Sequence, residues 1–390
     1  MKKMIKMSLI ASVAIAGLTT TASATAMEDS IKNTDLSGYI RYRYTNGQDN
    51  AESNAYKTVF VTKSKVNDMV TAKLKIAGEG KTYNGDDKST VAVEVGGDAD
   101  PDTTAVKEAN FIFNLGGNTI IAGKQGLVTP FADAGDQQGT GIVGLFPVGP
   151  VTLAAGWYTN TDAKAGHYAN TALTGANIGA IAAIGAAGPV NYSLWYADVA
   201  QGHTNEPAAN IGAKAINVNV AGKFGPVSVE VNHAEVKYTN DAAGAADPKA
   251  KQTRIVVGAN AGPVALTLGY VKTGDEGGNT TLGDTDAKSN FILEDVSASA
   301  TMDASIWYAA AKAPVGPVTV GFEYLTTSDM DGTSSAAASN EKAKEAKLSV
   351  AYAMSKNFTI SAFMTNASTE TKAGVETELD KSRLEMKYTF

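Results

Sequence analysis

The tripeptide Gly-Pro-Val, which occurs five times, constrains the fold of this chain more than any other feature of its sequence. The copies share a strand-like segment on each side and begin at Gly149, Gly188, Gly225, Gly262 and Gly316. Glycine and proline together favour a tight turn, and a proline at the edge of a strand removes a hydrogen-bond donor that a turn does not need. Each copy therefore predicts two strands joined by a short turn.

Longer polar stretches separate these turns, for example residues 238–249 and 273–288. The connections thus alternate between short turns and long loops, which is typical of outer-membrane barrels. A soluble propeller would give a repeat of similar length, but its connections would not alternate in this way.

The strand-like segments alternate between apolar and polar residues with a period of two. In the last segment the apolar face carries Leu384, Met386, Tyr388 and Phe390. The opposite face of that segment carries Arg383, Glu385 and Lys387. A period of two with one charged face indicates β-strands that have one face in contact with water.

The pattern can be followed through eighteen segments, from residues 36–44 to residues 379–390. An even number of strands allows the last one to pair with the first, so that no edge is left unpaired in the membrane. We therefore predict an all-β fold, a transmembrane antiparallel β-barrel of about 18 strands with short periplasmic turns and longer extracellular loops. A single barrel domain is expected over residues 25–390.

The N-terminus has the features of a secretory signal peptide over residues 1–24. Lys2, Lys3 and Lys6 precede a short apolar run, and small residues follow it with possible cleavage after Ala24 or Ala26. The apolar run is shorter than the ~20 residues that a membrane-spanning helix needs. Export to the outer membrane of a Gram-negative bacterium is expected.

Composition argues against several other classes of protein. Acidic residues outnumber basic ones, 40 to 33, which disfavours a nucleic-acid partner. The three histidines are isolated and lie near no nucleophilic motif, so we expect neither an enzyme nor a metal centre. Acidic stretches around Asp98 and Asp286 are expected to be solvated surface loops. Such carboxylates could still bind Ca²⁺ among lipopolysaccharides, although no cofactor motif is present.

Several segments resemble the major outer-membrane porins of Campylobacter-type bacteria. They are DLSGYIRYRY at residues 35–44, IAGKQ at 121–125, GTG at 139–141, LAA at 153–155 and the final YTF at 388–390. The resemblance is closest in roughly the first 160 residues. It implies an eighteen-stranded porin, usually a homotrimer, whose third long loop folds into the lumen.

That third loop, residues 126–140, carries Asp133 and Asp136 and no basic residue. The inward charges expected on the closing strands are basic, namely Arg41, Arg43, Lys57, Lys73, Lys75, Arg383 and Lys387. An acidic loop that faces a basic wall would create a transverse field at a pore constriction. The alternative is that these are ordinary solvated charges, because lumen faces are polar in any case.

The function that follows is a porin with a water-filled channel for passive diffusion of ions and small hydrophilic solutes. Two alternatives remain, a substrate-selective outer-membrane channel and a mainly structural or adhesive surface barrel. Leu384, Met386, Tyr388 and Phe390 resemble the C-terminal signal that the barrel-assembly machinery reads. The expected partners are this machinery, outer-membrane lipid and lipopolysaccharide, and two further copies of the chain.

Overall fold

A computed structural model describes residues 32–47, 52–84, 103–163, 176–200, 211–240, 249–282, 286–298, 301–328 and 340–390. The expected signal peptide and Asp98 lie outside these residues. The strands of the structure, in chain order, are β1 (Thr34–Asn46), β2 (Glu52–Lys65), β3 (Val70–Asn84), β4 (Thr103–Leu115), β5 (Asn118–Gly126), β6 (Gln138–Val148), β7 (Val151–Thr159), β8 (Ile178–Ala187), β9 (Val190–Val199), β10 (Ile211–Phe224), β11 (Val227–Asn240), β12 (Lys249–Ala261), β13 (Val264–Thr273), β14 (Ser305–Val315), β15 (Val318–Ser328), β16 (Asn340–Ala353), β17 (Phe358–Thr371), β18 (Glu376–Glu378) and β19 (Lys381–Thr389).

All of these strands belong to one antiparallel sheet that closes on itself. From β1 to β17 each strand pairs with its neighbours in the chain, β17 also pairs with β18 and β19, and β19 pairs with β1 to close the ring. Gly38 and Phe390 complete the closure by exchanging two backbone hydrogen bonds of 2.9 and 3.0 Å. The short β18 and the long β19 follow one another along β17 in the same register, so together they occupy one position in the ring. The predicted barrel of eighteen strands is therefore confirmed.

The five Gly-Pro-Val tripeptides form two-residue turns between paired strands. Their glycines all have φ between 58° and 61°, a region that other residues adopt only with strain. Ala261 pairs with Val264 across one such turn, which shows how closely the two strands are joined. A positive φ followed by the fixed φ of proline matches a type II′ turn, whose twist suits a β-hairpin. The local sequence thus determines these five turns.

The two faces of the wall have opposite character. Leu36, Ile40 and Tyr42 of β1 are exposed on the outer face, whereas Arg41 and Arg43, at the alternate positions, lie on the inner face. Trp157, Leu268 and Phe322 continue the outer apolar surface on other strands. This distribution suits lipid outside and water inside. No helix in the described part of the chain is long and apolar enough to cross a membrane.

The most deeply buried apolar side chains lie inside the barrel, between the wall and two long loops. Leu127 and Phe131 of the β5–β6 loop and Leu282 of the β13–β14 loop are at most 1% exposed and belong to one cluster with Tyr158. The interior is therefore partly filled by packed loop residues.

Candidate functional site

Three basic residues of the inner wall form a row across neighbouring strands. Arg41 of β1 lies directly opposite Lys387 of β19 on one side and Lys57 of β2 on the other. Like charges at directly opposite positions of a sheet destabilise it. The row therefore needs counter-charges, and β3 places Glu79 opposite Lys57.

The wall supplies several acids of its own. The ion pairs between wall residues are Lys57–Glu79 at 3.0 Å, Lys73–Glu108 at 2.6 Å, Lys75–Glu108 at 4.0 Å and Arg43–Glu385. Two further predicted cations have other contacts, since Lys387 lies 4.5 Å from the ring centre of Tyr39 and Arg383 lies 3.6 Å from Glu294 of the β13–β14 loop. The inner wall in this region thus carries acidic as well as basic side chains.

The β5–β6 loop, residues 127–137, binds directly to this wall. Lys57 Nζ lies 2.8 Å from Asp136 Oδ1, and Lys75 Nζ donates a hydrogen bond of 3.1 Å to the carbonyl oxygen of Gly135. Although partial burial opposes ionisation, the hydrogen bond and the charge of Lys57 hold the pKa of Asp136 below its ordinary value. Asp136 therefore remains a negative charge at neutral pH.

Asp133 lies on the other side of the same loop. Its carboxylate accepts a hydrogen bond of 2.7 Å from the backbone N–H of Gly135, which stabilises the turn between the two aspartates. Asp133 lines a cavity of about 750 Å³ together with Trp195, Glu230 and Arg254 of the far wall. The two aspartates therefore face different parts of the lumen, and the described contacts pair only Asp136 with the basic row.

The β13–β14 loop also folds inward, which the sequence analysis did not foresee. The backbone N–H groups of Leu282 and Ser289 donate to the carbonyl oxygens of Phe131 and Pro130, at 2.7 and 2.8 Å. The expectation that residues 284–289 form a solvated surface loop was wrong for Ser289, which is 1% exposed because it packs against the β5–β6 loop. The run Phe-Ile-Leu at residues 291–293, inside an otherwise polar stretch, was the signal in the sequence that this loop is packed.

Together the two loops connect opposite sides of the barrel. The β5–β6 loop contacts β2 and β3, and the β13–β14 loop accepts a hydrogen bond of 2.8 Å from Arg254 of β12 at the carbonyl oxygen of Asn290. Strand β12 lies about halfway round the ring from β2 and β3. The two loops therefore lie across part of the barrel interior.

The predicted assembly residues lie at the closing seam. Leu384 and Tyr388 are exposed on the outer face, and Met386 lies between them in the same alternation. The ring of Phe390 lies 5.6 Å from that of Phe60 and 5.9 Å from that of Tyr388. These four side chains thus form part of the outer surface where β19 meets β1.

Within the described ranges, no group of three or more histidine, aspartate, glutamate or cysteine residues is arranged to hold a metal ion. Asp286 lies beside the cavity, among its lining residues.

The family model described as Campylobacter major outer membrane protein matches residues 1–390, the whole chain. The chain belongs to this family. The match extends well beyond the first 160 residues, in which the resemblance is closest. No match was found among curated proteins.

Solved structures of outer-membrane channels are similar to this porin. OpdK of Pseudomonas aeruginosa, crystallised with vanillate, has a TM-score of 0.69 at 14% identity and covers 92% of this chain and 99% of its own. OccAB3 of Acinetobacter baumannii has a TM-score of 0.67 at 12% identity, and the alignment covers 92% of this chain and 99% of OccAB3. OccD1 (OprD) has a TM-score of 0.68 at 16% identity, and the alignment covers 92% of this chain and 96% of OccD1. These likenesses support the barrel fold, and the family places the porin in the outer membrane of a Gram-negative bacterium.

Proposed function

We propose that this porin is a water-filled channel for passive diffusion of ions and small hydrophilic solutes, and that the β5–β6 loop sets its narrowest part. The contact between Asp136 and Lys57 carries the proposal, because it fixes a negative charge of the loop against a cation of the wall. A charged loop held inside the barrel narrows the passage, and its charges influence which solutes cross it. Fold and family support a channel rather than an enzyme, and no catalytic role is proposed.

Single-channel recording of the full-length porin in planar bilayers tests this proposal. We expect a current that rises in proportion to KCl concentration, because an open aqueous pore has no tight ion site to saturate. A purified, folded barrel that gives no conductance steps would contradict the diffusion channel.

One observation favours a second candidate, a channel selective for small organic solutes. The cavity beside Asp133 has charged residues of both signs, Glu230 and Arg254, and the aromatic Trp195. The similar OpdK was solved with vanillate, an aromatic carboxylate. If the second candidate is correct, vanillate should block the KCl current at low concentration and should do so less after Arg254→Gln. A diffusion channel predicts no such block.

We further propose that the working form is a homotrimer in a bilayer of lipid and lipopolysaccharide. The broad apolar outer face, which includes Trp157 and Leu268, supports contact with lipid or with other copies of the chain. The alternating face that ends at Phe390 supports recognition by the barrel-assembly machinery. Cross-linking of the porin in native membranes should give a ladder that stops at three chains, and a ladder that stops at one would exclude the trimer.

A further inference from the structure

Residues 291–298 of the β13–β14 loop, called here the docked segment, bind a carboxylate of the barrel wall. The backbone N–H groups of Glu294, Asp295 and Val296 donate to the carboxylate of Glu345, with shortest distances of 3.1, 3.0 and 2.9 Å. Glu345 lies on β16 and is fully buried. Three consecutive N–H groups that converge on one anion form a nest, and such charge-assisted bonds are among the stronger ones.

The acidic side chains of the docked segment also bind cations of the wall. Glu294 lies 2.6 Å from Lys347 and 3.6 Å from Arg383. Asp295 pairs with Lys381 and accepts a hydrogen bond of 3.2 Å from Thr365. The side chains of both acids are less than a fifth exposed, so solvent screens these pairs less than it screens surface pairs.

Apolar packing supports the same position. Val296 and Ala298 are buried in a cluster with wall residues Ile306 and Leu325. The ring of Phe291 meets that of Tyr308 edge-on, with 5.3 Å between the ring centres. Displacing the docked segment would expose this apolar cluster and break the three hydrogen bonds to the Glu345 carboxylate, which is costly. The segment is therefore held in place by three independent kinds of contact.

We propose that Glu294 and Asp295 are selectivity residues of the pore and that Glu345 is the positioning residue that holds them against the wall. Their two negative charges offset Lys347, Lys381 and Arg383, which would otherwise favour anions. The proposal rests on the channel function but does not depend on the role of the β5–β6 loop.

Bilayer recordings of the full-length porin in dilute KCl test the two acids. The double variant Glu294→Gln with Asp295→Asn should lower the cation-to-anion permeability ratio by about twofold or more, since two charges are removed beside the passage. Glu370→Gln is the matched control, because Glu370 is half-exposed and pairs with Lys342 away from the docked segment. Only the double variant should change the ratio.

Glu345 is tested by two substitutions. Glu345→Gln weakens the binding of the three N–H groups, and Glu345→Asp keeps the charge but is too short to reach all of them. If Glu345 is a positioning residue, both variants should lower the cation-to-anion permeability ratio, as the double variant does. Both should also increase the fluctuation of the open-channel current. If only its charge matters, Glu345→Asp should behave as wild type, and the positioning role is overturned.

Folding is checked by the heat-dependent mobility of the barrel on denaturing gels. If the double variant does not fold, Glu294→Gln alone replaces it, because Lys347 still has Glu323 at 3.9 Å. A folded variant with the wild-type cation-to-anion permeability ratio in dilute salt overturns the proposed role of Glu294 and Asp295. A wild-type porin without conductance would instead refute the channel itself, so the two failures can be told apart.

Discussion

Replacing Asp136 with Asn removes one negative charge from the β5–β6 loop with little change in shape. The Asn side chain can still accept a hydrogen bond from Lys57, and Lys57 keeps Glu79 at 3.0 Å. The loop should therefore stay in place while the charge beside the passage becomes more positive. We expect the porin to become less permeable to cations relative to anions.

The size of this effect follows from Coulomb's law. A monovalent ion that passes about 6 Å from the carboxylate in water loses about 0.7 kcal/mol of interaction energy when the charge is removed. At ~0.01 M salt the Debye length of ~30 Å leaves most of this energy, which corresponds to roughly a 2.5-fold change in local cation concentration. At ~1 M salt the Debye length of ~3 Å leaves roughly 0.1 kcal/mol, which would hardly be detected.

The assay is the reversal potential of a planar bilayer under a salt gradient, measured in dilute and in concentrated KCl. Asp68→Asn is the matched control, because Asp68 lies in the turn between β2 and β3 and its side chain is 96% exposed. If folded Asp136→Asn porin has the wild-type reversal potential in dilute salt, Asp136 does not lie beside the ion path and the reasoning fails.

Further predictions test other parts of the structure. The Arg41→Gln with Arg43→Gln variant should shift the reversal potential toward cation selectivity, again mainly in dilute salt; an unchanged potential would mean that neither arginine lies near the passage. The selectivity difference between wild type and Asp136→Asn should persist from pH 7 to about 4. The reason is that a carboxylate with a lowered pKa loses its charge only as the pH falls through that pKa. Loss of the difference near pH 6 would contradict the pairing of Asp136 with Lys57. Deletion of Phe390 removes two hydrogen bonds to Gly38, so less folded barrel should be recovered from membranes, as measured by heat-dependent gel mobility; normal recovery would place the closing signal elsewhere. Gly262→Ala should lower the free energy of unfolding by about 1–2 kcal/mol, because a φ of 61° strains any residue with a side chain, although the added methyl group meets no atom. Urea titration of the porin in lipid vesicles measures the free energy of unfolding, and an unchanged value would refute the turn conformation.

The charged site could be predicted from the sequence only in part. Alternation places Arg41 and Arg43 on the inner face, because that alternation is a local property of each strand. The alternation does not predict which acids these arginines bind, since Arg43 binds Glu385, which is 342 residues away in the chain. Such a pair exists only because the ring closes in one register.

The position of the loops also depends on the whole barrel. Asp133 and Asp136 are close in sequence, yet Asp136 contacts β2 whereas Asp133 lines the cavity beside β12. A polar loop has the same composition whether it lies in outside water or in a wet lumen. Polar composition therefore did not distinguish the inward β13–β14 loop from an extracellular one, and only its apolar run at residues 291–293 indicated packing.

The sequence by itself determined the strands, their inner and outer faces and the tight turns, because side-chain alternation and the positive φ of Gly in Gly-Pro act over a few residues. Only the tertiary structure decided that Glu345 binds the N–H groups of residues 294–296 and that Lys57 binds Asp136. Those contacts join segments that are distant in the chain. They form only after closure of the barrel has brought the wall and the loops within hydrogen-bonding distance.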